Sequence, residues 1–275
     1  MVRGVSRLAT GLAISVFVLG LAFANGAKAA DVQWFGQSAF KITTSDGKVI
    51  LIDPFITKNP KTPENLKDLA ALGDVDLILV THGHGDHVGD TAEIAEMTGA
   101  KVAMNADMGH TFASLGLVPA EQLIRFNKSG PIQPIGEGVT ITMVRAEHSS
   151  ELMHRDPITA KPVVHPGGEP AGYIIELADG KTLYHAGDTG VFADMAFIAE
   201  YYKPDVAFLP IGGHYTMDPA HAAYAVTELL KTPVVVPMHF GTFPPLKGTP
   251  EQFKEALGDY GGEVIVMEPG ETRTF

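Results

Sequence analysis

From Val32 onward the chain alternates short apolar runs with stretches of helical spacing. "SAFKITTSDGKVILIDP" sets Asp46-Gly47 between two strand-like runs, the arrangement expected of a β-hairpin. "VDLILVTH" is continuously apolar, which predicts a strand covered on both faces. In "GDTAEIAEMTGA" the spacing turns helical, with Asp90 as the expected N-cap, Glu93 three residues on and Gly99 as the stop. "KVAMN" predicts another strand and 107–115 a helix. "VTITMVRAEH" alternates in strand fashion, and "AGYIIELADGKTLYHAGD" predicts a second hairpin about Asp179-Gly180. "PDVAFLPIG", "TPVVVPMHF" and "EVIVMEPGE" follow as expected strands, separated by helices in "DPAHAAYAVTELLK" and "PEQFKEALGDYGG". No linker or fixed-period repeat interrupts the pattern. Each half offers antiparallel strands first and strand–helix units later. The expectation is an α/β sandwich in a single domain, two mixed sheets packed together with helices outside.

The first thirty residues break this pattern. Arg3 and Arg7 precede the apolar "GLAISVFVLGLAFA", and the small residues of "NGAKAAD" follow. A basic start, an apolar centre and Ala27-x-Ala29 predict a signal peptide at 1–29, cut after Ala29, and a domain at 30–275. The alternative is a membrane anchor at residues 8–27, an uncharged stretch long enough to span. Its three glycines and peptidase-like end favour cleavage, hence no stable membrane insertion. The expected location is outside the cytoplasmic membrane, periplasmic in a Gram-negative bacterium. With no cysteine there is no disulfide, no thiolate ligand and no lipid attachment at the cut. Loss of Arg3, Arg7 and Lys28 moves the formal charge from −12 to −15. Such acidity argues against nucleic acid or any long polyanion as partner, while a small anion can still bind where a metal reverses the local sign. A small-molecule substrate is expected; the oligomeric state has no signature in the sequence.

"THGHGDHVGD", residues 81–90, concentrates the chemistry. His82 and His84, two apart, face the same way in an extended segment. Asp86 and His87 fall where the chain turns into a helix and can serve a second centre. Gly83 and Gly85 are expected to allow the tight path. Imidazole and carboxylate suit zinc, with manganese or iron as alternatives. Asp53, His148, Asp188 and His239 stand at the exits of other apolar runs, where α/β folds assemble their sites.

H-x-H-x-D-H at a strand–helix junction, then a distant His, a G-D-T and a further His after a strand, resembles the metallo-β-lactamase superfamily across the chain beyond the leader. "LIDPF", "HAGDTGVFADM", "DVAFLPIGGHYTMDP" and "VVPMHFGTFPPL" resemble its metal-dependent hydrolase branch near the ascorbate-6-phosphate lactonase relatives. The resemblance implies a four-layer αββα sandwich and two divalent metal ions per chain. It gives His82, His84 and His148 to one ion, and Asp86, His87 and His239 to the other. Asp188 bridges both, and Asp53 supports the ligand loop from behind. In that family the nucleophile is a hydroxide held between the two metals, so Asp86 and Asp188 are the expected catalytic carboxylates, with Asp86 also able to shuttle a proton. The implied reaction is hydrolysis of a small ester, lactone or phosphoester. A nuclease-type phosphodiesterase is one alternative, disfavoured by acidity and the lack of a basic stripe; a non-catalytic metal-binding protein is the other. Cysteine-liganded β-lactamases are excluded by the absence of Cys, and those without a bridging carboxylate fit "AGDTG" poorly. The di-iron redox branch carries Glu at the position of His84.

Among the other candidates, His214 and Tyr215 follow a strand exit and are placed to meet substrate or a metal's surroundings. His185 is expected to support or pack, and His110 and His221 to be ordinary helix residues. Residues 151–170 show no regular pattern and are expected to form an irregular loop, a candidate substrate lid carrying His154, Arg155, Lys161 and His165. Ser149 and Ser150 lack the G-x-S-x-G elbow of a serine nucleophile.

Overall fold

Successive side chains of a strand point to opposite faces, and that period of two sorts the apolar residues of this chain into three cores. The computed structural model describes residues 29–275 together with Met1. The expected signal peptide, or anchor, lies outside the described residues. Among the described residues, no helix is long and apolar enough to cross a membrane.

The first half runs β1 (Asp31–Gly36), β2 (Ala39–Thr43), β3 (Val49–Ile52), β4 (Leu77–Leu79), α1 (Gly85–Val88), α2 (Thr91–Thr98), β5 (Lys101–Asn105), α3 (Ala106–Leu115) and β6 (Leu123–Phe126). It continues through β7 (Val139–Arg145), β8 (Glu151–Arg155), β9 (Pro162–Pro166), β10 (Ala171–Leu177) and β11 (Thr182–His185). Then come α4 (Met195–Tyr202), β12 (Val206–Pro210), α5 (Pro219–Tyr224), β13 (Val234–Met238), α6 (Pro250–Leu257), β14 (Glu263–Val264) and β15 (Thr272–Thr274).

One sheet has seven strands in the order β15-β1-β2-β3-β4-β5-β6, the other six in the order β14-β13-β12-β11-β10-β7. Both are mixed. Strands β1 to β3 pair antiparallel and β3 to β6 parallel. In the second sheet β7, β10 and β11 pair antiparallel and β11 to β14 parallel. The two expected hairpins are β2–β3 and β10–β11, in registers that place Phe40 opposite Ile52 and Tyr173 opposite His185.

Ile50, Ile52, Leu77 and Leu79 from the first sheet meet Met143, Tyr173, Phe208 and Val236 from the second in the central core. Their neighbours Leu51, Ile78, Val102 and Met104 turn the other way, against Ile94 of α2 and Met108 and Phe112 of α3. Ile174, Ala207 and Val235 likewise pack against Met195 of α4, Ala222 of α5 and Phe253 of α6. The layers therefore run helix, sheet, sheet, helix. "VDLILVTH" reads as unbroken because both of its faces are covered, each buried aliphatic side chain contributing about 1.5–3 kcal/mol.

Three expectations are corrected. Residues 151–170 are not an irregular loop: β8 and β9 form a two-stranded ribbon with Met153 opposite Val164. The pattern is hidden because little of the ribbon is buried; Leu152 turns inward, whereas Met153 and Val164 are 65% and 61% exposed. "EVIVMEPGE" is not a full strand. Only Glu263 and Val264 pair as β14, after which the chain crosses to the first sheet, where β15 pairs with β1. Finally, Asp90 makes no side-chain cap to α2. Its carboxylate instead accepts from the Ile56 and Thr57 amides at 2.8 and 2.9 Å, and from the Thr57 hydroxyl. It thereby ties the loop after β3 to the loop that carries the histidines.

Candidate metal centre

Asp53 leaves β3 fully buried, with a left-handed φ of 46°. Its carboxylate accepts from the Thr81 amide at 2.8 Å, the Thr81 hydroxyl at 2.7 Å and His87 Nδ1 at 2.7 Å. The Thr81 hydroxyl donates its one hydrogen to Asp53, so at 3.0 Å it accepts from His82 Nδ1. That network assigns the tautomer: the His82 Nε2 lone pair points inward, 3.0 Å from His84 Nδ1. His84 Nε2 lies 3.2 Å from Glu151 Oε2 and 3.4 Å from Ser149 Oγ. With Nε2 turned to Glu151, His84 brings Nδ1 to the side of His82 Nε2, where one cation can meet both nitrogens.

The second sheet delivers His148, Asp188 and His239 from the exits of β7, β11 and β13. Asp188 Oδ1 lies 3.3 Å from His87 Nε2, while Oδ2 lies 3.0 Å from His239 Nε2 and 3.6 Å from His148 Nε2. Asp86 Oδ2 is 3.6 Å from His239 Nε2 and 3.8 Å from His87 Nε2. Ligand bonds of about 2.0–2.1 Å put the donors of a tetrahedral zinc shell about 3.3 Å apart, so these spacings fit such shells. Donor atoms cluster within 4.8 Å in three overlapping groups: His82, His84 and His148; His82, His87 and Asp188; Asp86, His87 and His239. Among the described residues, His87 Nε2 and Asp188 Oδ1 are buried without a hydrogen-bond partner, and a shared cation would coordinate both. All the donors are nitrogen or oxygen, the set favoured by zinc, manganese or iron.

Charge is unevenly held here. Burial, with crowding by His87, pushes His82 well below its ordinary value, and burial lowers His148 as well. Burial opposes a charge on His239, but Asp188 and Asp86 outweigh it and push that ring up to about 9. His87 is likewise raised, against burial, by Asp188 and Asp53. Burial would raise Asp86 and Asp188, yet His87 and His239 hold both well below the usual carboxylate range. Two imidazolium protons thus offset buried carboxylates where a metal ion's charge would do so better.

Two contacts had no sequence signal. Gln37, fully buried with φ 53°, donates from Nε2 to Asp86 Oδ2 at 2.8 Å and lies 2.7 Å from His239 Nε2. Glu151, the first residue of β8, is the group facing His84. Gly83 is required by that ribbon: a Cβ there would lie 2.9 Å from the Glu151 backbone. Gly85, expected to be equally constrained, has no atom within 4 Å of such a Cβ and no positive φ.

A cleft of about 830 Å³ opens over the cluster, reached by His84, Asp86, His148, Asp188 and His239. Tyr215 lines it, whereas His214, edge-on to the Tyr215 ring at 4.3 Å, lines an adjoining cleft. Of the expected lid only Glu151 lines the cleft, next to Ser149, and Arg155 donates to the Ala160 carbonyl within the ribbon. His185 is buried and neutral, lowered to about 4 by burial; it donates to the Ser38 carbonyl and accepts from the Gly187 amide. It braces the turn before Asp188. His221 contacts the cap residue Asp218, and His110 pairs with Arg125, both away from the cluster.

The family profile described as beta-lactamase superfamily domain matches residues 48–240. A UPF0173 metal-dependent hydrolase of Cupriavidus necator is 53% identical over 248 residues, covering 90% of this chain and 86% of its own. Its counterpart in Polaromonas sp. is 52% identical over 245 residues, covering 89% of each chain. The solved structure of a metallo hydrolase from the hyperthermophilic archaeon Ignicoccus hospitalis is 43% identical, with a TM-score of 0.77 over 90% of this chain and 98% of that one. With the αββα layers and the His/Asp cluster already in place, these matches make the chain a metal-dependent hydrolase of the beta-lactamase superfamily.

Proposed function

We propose that the centre holds two divalent cations, zinc foremost, and that the chain hydrolyses a small ester, lactone or phosphoester. His82, His84 and His148 hold one ion; Asp86, His87 and His239 hold the other. The observation that carries this reading is the divided carboxylate of Asp188, whose Oδ1 faces His87 while Oδ2 faces His148 and His239. Bound there, the cations lower the pKa of a coordinated water toward about 7 and polarise a carbonyl or phosphoryl oxygen. Asp53 and Thr81 fix the outer nitrogens of His87 and His82, so the inner nitrogens stay aimed at the centre. Asp86, with 26% of its side chain exposed, is the carboxylate placed to carry a proton toward the leaving oxygen. Gln37 holds that carboxylate in line.

Metal analysis of the purified chain should find two equivalents, and chelation should abolish hydrolysis. His84→Ala should lose a cation and metal-dependent turnover together, with unchanged far-UV circular dichroism. Full activity in that variant would remove the assignment. We further propose export with cleavage after Ala29, on the strength of Arg3, Arg7 and the apolar run that follows. N-terminal sequencing of the exported protein should begin at Ala30; an intact leader would favour the anchor.

A further inference from the structure

We infer that the substrate of this centre is an uncharged carboxylic ester or lactone with an apolar chain, in preference to a phosphoester. The inference rests on the hydrolase reading above and concerns the cleft around the cluster. Phe55 and Phe243 line it with ring centroids 6.3 Å apart, and Leu246 and Pro245 complete an apolar lining. Phe243 and Tyr215 keep 36% and 59% of their surface exposed there. Exposed aromatic surface gathered in a concave site marks where an apolar ligand body lies.

Both rings are positioned by the segments that leave the site. Phe55 follows Asp53 by two residues, its amide donating to the Asp53 carbonyl at 2.7 Å, and Asp90 pins the next two amides. Phe243 follows His239 by four residues, in a turn closed by Gly241 donating to Leu246 and Leu246 donating to Phe243, each at 3.0 Å. The apolar lining therefore stands at a fixed reach from the histidines. Among the described residues, Lys58 is the one lysine or arginine lining the cleft, and Glu151, beside His84, lines it as an acid. A phosphate chain finds no pair of cationic side chains among them to grip it.

In the reaction, the water oxygen bonds to the acyl carbon and the bond from that carbon to the alkoxy oxygen breaks. The alkoxy oxygen leaves with a proton. The products are a carboxylate, an alcohol and one released proton, or a single hydroxy acid and one proton from a lactone.

The test assays the zinc-loaded chain with p-nitrophenyl acetate, butanoate, hexanoate and octanoate, and with bis-p-nitrophenyl phosphate. kcat/KM should rise about three- to fourfold per methylene until the cleft is filled, and the phosphate should be the poorest of the set. Phe243→Ala should flatten the dependence on chain length, and Phe243→Leu should restore most of it. Calorimetry with acetate, butanoate and hexanoate reads the same preference without turnover, the Kd falling with length. A flat or falling length profile, or faster hydrolysis of the phosphate, overturns the inference. If no compound is hydrolysed, the hydrolase reading fails on its own. The calorimetric series still decides this one: length-dependent binding sustains the apolar site and length-independent binding overturns it.

Discussion

His84 turns Nδ1 toward His82 within the ligand loop and is held at Nε2 by Glu151 from the base of the β8–β9 ribbon. A carboxylate behind a ligating imidazole sets its tautomer and raises its basicity, and losing such a partner typically weakens metal binding about 10–100-fold. Glu151→Ala should therefore lower zinc affinity on that scale in a competition titration, with partial recovery in Glu151→Gln, whose amide oxygen can still accept. Equal affinity in all three proteins would leave Glu151 as a surface acid. His87 and His239 give a second prediction. Both rings are raised by neighbouring carboxylates, His239 to about 9, so near neutral pH a cation must displace a proton from each. Zinc affinity should climb as pH rises through neutrality and level off only above the His239 value. Calorimetry in buffers of different ionisation enthalpy should register the released protons; a pH-independent Kd between about pH 6 and 8 would contradict this. The histidines and Asp188 were legible in the sequence because local spacing and strand exits mark them. Gln37 and Glu151 were not, since each meets its partner only through the fold, Gln37 reaching His239 across 202 positions.

Among the elements, the ribbon is the part least visible in the sequence and closest to the ligand loop. Its base packs on Gly83, whose amide donates to Ser150 Oγ at 3.1 Å, and the same end is tied to α3 by Thr111 donating at 2.8 Å to the carbonyl of Pro166, the residue opposite Glu151. Gly83→Ala should destabilise the protein by about 1–3 kcal/mol, the usual cost of forcing atoms into a filled contact. It should also weaken metal binding, because the strain falls between His82 and His84. Gly85→Ala, two residues away, meets open space and should leave both quantities unchanged. Thermal unfolding with metal titration separates the pair, and equal effects would show that the ribbon does not press on the loop. Strands buried on both faces were readable from unbroken apolar runs. The ribbon and β15 were not: the residues of β15, Thr-Arg-Thr, are all exposed, so no burial pattern marks it.

On the scale of the whole molecule, the cluster joins two sheets. His82, His84, Asp86 and His87 come from the segment that follows β4 of the seven-stranded sheet, and His148, Asp188 and His239 from the exits of strands of the six-stranded one. A cation bound by both sides favours the folded state by about 2.7 kcal/mol when free metal exceeds its Kd a hundredfold. Chelation should then lower Tm by roughly 5–10 °C for a domain of this size. An unchanged Tm would mean that the site is not a crosslink.

Strand β1 finds its outer neighbour in β15, with Asp31 opposite Thr274 and the Phe275 amide donating to the Ala30 carbonyl at 3.0 Å. During synthesis this strand, the first among the described residues, therefore waits, edge uncovered, until some 240 further residues have been made. Until then that open edge can pair with any passing β-segment, so a holdase that binds extended chain would guard this protein most usefully at its beginning.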